Sequence, residues 1–241
     1  MTAVTFNGAN LSNRFIVGDQ KRPLPEFRVS TMQVDGADGE VYGGSTIGPR
    51  FLSFRVTSIG RTPRQLQDDA RFLMALLAVR QPTALTISDE RTEGNVQLVR
   101  YAVPSGSFDA DEYVRAGSWM LQFVQPDPYL YGNEHTQSVT ANTTTEIFVD
   151  GNAPAEWEMH VVPSSGATSH TFNYGSHKVV FSGTFDGSMA LDVDSRTGVV
   201  NTSVSGVGLA SGTTIVPVET GTVELLSSSG NATFTWRERW L

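Results

Sequence analysis

The sequence predicts a mainly β protein of two domains. Residues 1–132 form a small β-barrel or folded sheet with one packed α-helix, and residues 133–241 form a β-sandwich. Three observations carry this. Apolar and polar residues alternate along many short segments, as in "FLSFRVTS" and "SWMLQFV". Only one segment, "TPRQLQDDARFLMALLAVRQP", has helical periodicity. After Gly132 the texture changes to Thr, Ser, Asn and Gly, with no further helix signal. Alternation is the mark of a strand with one buried face, and many short strands without helices point to a sandwich.

In the first domain, "VTFNGANL" opens as a short strand and turn. "FRVSTMQVDGADGEVYGGSTIGPRFLSFRVTSIG" reads as two strands around a Gly-rich loop. Leu52, Phe54 and Val56 take one face of the second strand, and Phe51, Ser53 and Arg55 take the other. The loop "DGADGE" has acids and glycines but not the spacing of an EF-hand, so it reads as a turn. The helix is expected over about residues 62–80. Thr62 is its N-cap, Pro63 its first residue and Gln65 the partner that completes a capping box. Asp68 and Asp69 early and Arg80 late follow the order the helix dipole prefers. Leu66, Ala70, Leu73 and Leu77 form its apolar stripe, widened by Phe72, Leu76 and Val79. "TALTISDE" and "VQLVRYAVPSGSFDA" are further strands. The last strand, "SWMLQFVQ", must then stop at "PDPYLYG", because Pro126 and Pro128 cannot donate ladder hydrogen bonds and hold Gln125 and Asp127 extended.

In the second domain, Ile147 and Val149, then Trp157, Met159 and Val161, then Leu191 and Val193, alternate with polar residues. Phe234, Trp236 and Trp240 share a face of the last strand. "DSRTG" and "SSSGN" are turn clusters.

Composition narrows the chemistry. There is no cysteine, so disulfides, thiolate metal sites and cysteine nucleophiles are excluded. No run of apolar residues is long enough for a membrane helix. The net charge of −8 is uneven: residues 1–132 hold 13 basic and 14 acidic side chains, and residues 133–241 hold 4 and 11. The second domain therefore lacks the basic face that gripping phosphates needs. Lysine occurs only at positions 21 and 178, while the first domain holds 12 arginines, the cation enriched at protein interfaces. No phosphate-binding loop, dinucleotide fingerprint, HExxH or nucleophile elbow is present. His135, His160, His170 and His177 are scattered, and only His170 and His177 have a chance to meet across a hairpin. The carboxylate clusters Asp109, Asp111 and Glu112, and Asp192 with Asp194, sit where strands end and turns begin, positions Asp favours anyway. Trp157, Trp236 and Trp240 would stack on sugars if exposed, but strand tryptophans usually pack in cores. No catalytic, cofactor-binding or metal residue is assigned, and the expectation is a protein that is not an enzyme.

The order of these segments resembles the distal tail proteins of long-tailed phages with non-contractile tails. The resemblance rests on "VDGADGEVYGGSTIGPRFLSFRVTSIG", the single helix after it and "SWMLQFVQPDPYLYG". It continues through "NAPAEWEMHVV", "MALDVDSRTGVV" and "TFTWRERWL". It implies a phage or prophage virion structural protein, assembled in the host cytoplasm and placed at the tail tip. There it would form a homohexameric ring in the baseplate hub. The first domain would build the ring beneath the tail tube protein, and the second would have a galectin-like fold and face outward. The tail-associated tip protein and a receptor-binding protein would dock on it, and DNA would only pass through the channel. "SHTFNYG" does not carry a full galectin sugar motif, so a galectin-like fold is no sign of sugar binding. Two other readings stay open: a carbohydrate-binding module or accessory domain of a hydrolase, and another tail tube or adaptor subunit.

Overall fold

The computed structural model describes residues 3–35, 38–60, 62–92, 94–106, 117–202 and 207–241. The chain divides into two compact units, Met1–Leu130 and Tyr131–Leu241. Each has its own apolar core.

The first unit contains β1 (Val4–Phe6), β2 (Ala9–Asn10), a 3-10 turn (Leu11–Asn13), β3 (Phe15–Lys21), β4 (Phe27–Gln33), β5 (Glu40–Ile47), β6 (Arg50–Ser58), α1 (Pro63–Leu77), β7 (Thr83–Arg91), β8 (Gln97–Pro104) and β9 (Ser118–Gln125). Seven strands pair antiparallel in the order β2-β1-β7-β8-β9-β6-β3. In a flat sheet, β1 and β9 would lie three strand spacings apart, about 14 Å. Instead the rings of Phe6 on β1 and Phe123 on β9 meet edge to face with centroids 4.9 Å apart. The sheet therefore rolls over its own core, and the alternation in its strands puts one face of each inside. Leu52, Phe54 and Val56 of β6 and Trp119, Leu121 and Phe123 of β9 all point into it.

The capping box forms as expected: Gln65 N–H donates to Thr62 Oγ1, and Thr62 N–H donates to Gln65 Oε1. The helix differs from expectation at its far end, stopping at Leu77. Ala78 turns out of helical geometry at ψ 33°, and Arg80 lies beyond the last turn. Asp69 does not serve the dipole, since it lies past the first turn. It is buried, accepting from Ser58 Oγ at 2.5 Å and pairing with Arg14 at 3.3 Å. A buried carboxylate inside the apolar stripe thus ties the helix to β6 and to the chain just after the 3-10 turn.

A second difference concerns the stretch read as a Gly-rich loop. It contains a full strand, β5, paired with β4. The register shifts between Ser30 and Thr31. Gly44, facing that shift, has φ +121°, a value that side chains rarely adopt, so the glycines make a bulge rather than a loop.

The second unit contains β10 (Leu130–Val139), β11 (Thr145–Val149), β12 (Ala153–Val161), β13 (Ser169–Tyr174), β14 (His177–Ser182), β15 (Leu191–Asp194), β16 (Val199–Thr202), β17 (Gly208–Leu209), β18 (Gly221–Ser227) and β19 (Ala232–Trp240). One sheet runs β10-β19-β12-β15-β16 and the other β11-β18-β13-β14-β17. The inner faces meet through aromatic rings. Trp157 lies 4.7 Å from Tyr174 and Phe234 lies 5.7 Å from Phe172, each pair joining one sheet to the other. Trp157 Nε1 donates to Val216 O at 2.8 Å, so its polar atom is satisfied inside the sandwich.

Core and surface positions on β6 and β9 should separate cleanly in mutation. Phe123→Ala is expected to cost the first unit about 3–5 kcal/mol. Phe51→Ala, on the outward face of β6 and 58% exposed, should stay within about 0.5 kcal/mol. Urea denaturation of the full-length chain distinguishes the two.

Candidate assembly surfaces

The hairpin β4–β5 is the most unusual surface of the first unit. Every residue of β4 is exposed, and so is nearly all of β5. Phe27, Val29, Met32, Val41 and Tyr42 are each more than half exposed. None of its described residues belongs to the apolar core. Its base is closed by Gly48 N–H donating to Glu26 O at 2.7 Å. A two-stranded ribbon is marginal alone in water, and an exposed apolar run of this kind marks an interaction surface. Its outer edges also offer unpaired backbone groups.

The corner at the end of β9 is held by side chains. Tyr129 N–H donates to Asp127 Oδ1 at 3.2 Å, and Gln125 Nε2 donates to Tyr129 O at 2.7 Å. Strand geometry resumes at Leu130. In the second unit, the start of β10 is pinned from β19. Glu238 is 6% exposed and accepts from Asn133 N–H at 3.3 Å. The same carboxylate shares a 2.6 Å hydrogen bond with His135. Arg237 donates to Gly132 O at 3.1 Å and lies over the Tyr131 ring. Alternation in "TFTWRERWL" puts Glu238 on the inward face with Phe234 and Trp236, but does not show what it meets there.

The candidates for chemistry do not assemble. Asp109, Asp111 and Glu112 lie outside the described residues. Asp192 and Asp194 line a groove of about 320 Å³ on the second unit with Glu158, His160, Asn201 and Thr235. His160 and Asp192 share a 2.6 Å hydrogen bond, with both side chains about half exposed. No Trp, Tyr or Phe lines this groove among the described residues, and Trp157 and Trp236 are buried in the core. His170 and His177 do not face each other. On the β13–β14 hairpin, His177 lies opposite Tyr174 and His170 opposite Phe181. Among the described residues no group of three His, Asp or Glu could hold a metal ion, and no helix is long and apolar enough to cross a membrane.

The family model of the phage tail protein RIFT-related domain matches residues 5–125, about half of the chain. The chain belongs to this family. A phage tail protein is a structural component of the virion tail and assembles with other tail components, which is the setting in which an exposed apolar hairpin has a use. The tail protein also shares its fold, over 100% of both chains, with the crystal structure of the SPP1 Dit protein, described as a paradigm of the hub adsorption apparatus in phages infecting Gram-positive hosts. That likeness has a TM-score of 0.74 at 19% identity. A chain of the phage p2 baseplate in its activated conformation with Sr is similar over 98% of this chain and 97% of that one, with a TM-score of 0.52 at 10% identity. No curated protein matches the sequence.

His170 gives the tail protein a predictable pH response. It is fully buried, with Nδ1 on Ser229 Oγ at 3.1 Å, and burial pushes its pKa down to about 4. The folded state thus refuses a proton that the unfolded state accepts from about pH 6.5 downward. His170's contribution to the stability of the second unit is complete above that pH and falls by about 1.4 kcal/mol per pH unit toward pH 4, where the loss levels off. His170→Phe should flatten this slope in thermal melts between pH 7 and 4.

Proposed function

We propose that the protein forms a closed homohexameric ring at the tail tip, acting as the hub between the tail tube protein and the tail-associated tip protein. The observation that supports this most is the hairpin β4–β5, which exposes Phe27, Val29, Met32, Val41 and Tyr42 and buries none of them within its own subunit. Burying an apolar side chain of this size is worth about 1.5–3 kcal/mol. A neighbouring copy is the partner always present at the right stoichiometry, and a head-to-tail contact repeated around an axis covers every hairpin at once. The number six comes from the resemblance to distal tail proteins.

The charge distribution supports a division of labour. The ring-forming role falls to residues 1–132, whose near-balanced charge lets arginines face carboxylates across an interface. The second domain, residues 133–241 with 11 acidic and 4 basic side chains, suits the outside, where repulsion between neighbours is screened within about 8 Å. It is galectin-like in this reading and offers its outer surface to a receptor-binding protein. DNA passes through the central channel and is not a bound ligand. The ring assembles in the host cytoplasm, and the protein has no catalytic step.

Native mass spectrometry of the full-length chain should find a hexamer. Replacing Val29 and Tyr42 together by Glu should leave a monomer whose circular dichroism and melting of the second unit are unchanged. A hexamer that persists in the double variant would remove the hairpin from the interface. A wild-type chain that stays monomeric with its tube partner present would sink the ring. Asp192→Asn and Asp194→Asn should assemble as wild type.

A further inference from the structure

The rolled sheet of the first unit is apolar inside except at one end, and there its inward positions are polar or charged. The alternation that turns Leu52, Phe54 and Val56 inward on β6 also turns Arg50 inward. On β8 it does the same for Arg100, between Leu98 and Ala102, and on β9 for Gln125, after Phe123. Arg50 is 6% exposed, Arg100 1% and Gln125 0%. Arg50 and Gln125 are direct partners across the β6–β9 ladder.

The two nearby carboxylates are shared with a third guanidinium, that of Arg22. Asp89 takes a two-pronged contact from Arg22, at 2.8 and 3.0 Å, which holds its carboxyl below the usual carboxylate range. Glu90 Oε1 accepts from Arg22 at 3.2 Å and also pairs with Arg100. Three guanidinium groups thus share two carboxylates, and the cluster carries a net charge of +1. Arg50 is the one left over, with no carboxylate within ion-pair distance among the described residues.

The hydrogen-bond balance points the same way. Nε and Nη2 of Arg50 and Nε and Nη1 of Arg100 are buried without a partner among the described residues. So are two acceptors, Glu90 Oε2 and Gln125 Oε1. Burial, and then the charge of Arg100, lowers the pKa of Arg50, yet a guanidinium does not give up its proton in a protein. A buried charge needs an opposite charge as well as hydrogen bonds. Water would answer the donors and leave the charge.

We propose that Arg50 and Arg100 bind a small monovalent anion of chloride size, which neutralises the charged end of the first unit's core. Four free donors against two free acceptors favour an anion over a cation. A net charge of +1 favours a monovalent ion over phosphate or sulfate, which would leave the buried cluster negative beside Glu90. The site also bears on the corner that follows β9, because Gln125 holds Tyr129 O with its amide nitrogen. Occupancy therefore stabilises the strand end that leads into Pro126–Pro128.

The test uses the full-length chain at fixed ionic strength, with chloride exchanged for gluconate, which is too large to enter a buried site. Raising chloride from about 5 to 200 mM should raise the melting temperature by about 3 °C. Bromide should act in the same way, and crystals grown in bromide should show an anomalous peak within hydrogen-bond reach of both guanidinium groups. Arg50→Gln should melt cooperatively and lose the dependence. If that variant does not fold, Arg50→Lys, which keeps the charge but not the fork, should shift the chloride midpoint about tenfold upward. Equal melting temperatures in chloride and gluconate, or a dependence that survives Arg50→Gln, overturn the proposal, as does a bromide crystal without a peak at the two arginines.

Discussion

The contact between Phe6 and Phe123 is the constraint from which the first unit follows. It forces a seven-stranded sheet to roll, and a rolled sheet has only one inside. Every inward position on β1, β6, β8 and β9 then competes for the same space, and the edge-to-face ring geometry at 4.9 Å sets how tightly the roll closes. The helix is added to this frame through polar contacts as much as apolar ones. Asp69 is fixed by Ser58 and Arg14, so α1 cannot slide along its apolar stripe without stranding a buried carboxylate.

The hairpin β4–β5 is what the roll leaves out. Its two strands follow β3 and precede β6 in the chain, yet β3 and β6 pair directly with each other. The segment between them is therefore expelled from the sheet as a ribbon. Its apolar residues are not a failed core. They sit in a segment that the topology excludes from the core, which leaves them for another tail component to cover.

Much of this was legible in the sequence. The strands of both units and the capping box at Thr62 and Gln65 follow from local rules of alternation and hydrogen bonding, which act over a few residues. The alternation could also show that Phe27 and Val29 share a face. It could not show that this face meets nothing, because burial depends on pairings far along the chain. The same holds for Asp69, which reads as a helix-dipole charge in its own window and proves buried only once β6 is placed. Arg50 and Glu238 lie on the inward side of their strands' alternation, but their partners there depend on β9 and β10. The expected helix over 62–80 ran past Leu77 because Val79 fits the apolar stripe, while the backbone at Ala78 has already left it. The Gly-rich loop hid a strand because glycine signals a turn and a bulge equally well.

The order of strands in the second unit has a consequence for how it comes into being. β19, its last strand, lies in the interior of one sheet between β10 and β12, and β18 lies in the interior of the other between β11 and β13. Neither sheet has its middle until residues 221–240 have left the ribosome. Before then Trp157 and Phe172, two of the largest core residues, lack Phe234, the ring stacked against both. Pairings this distant along the chain are slow to form, and an unfinished sheet exposes unpaired strand edges. The second unit therefore completes its two sheets only once β18 and β19 are available, and until then it keeps open strand edges.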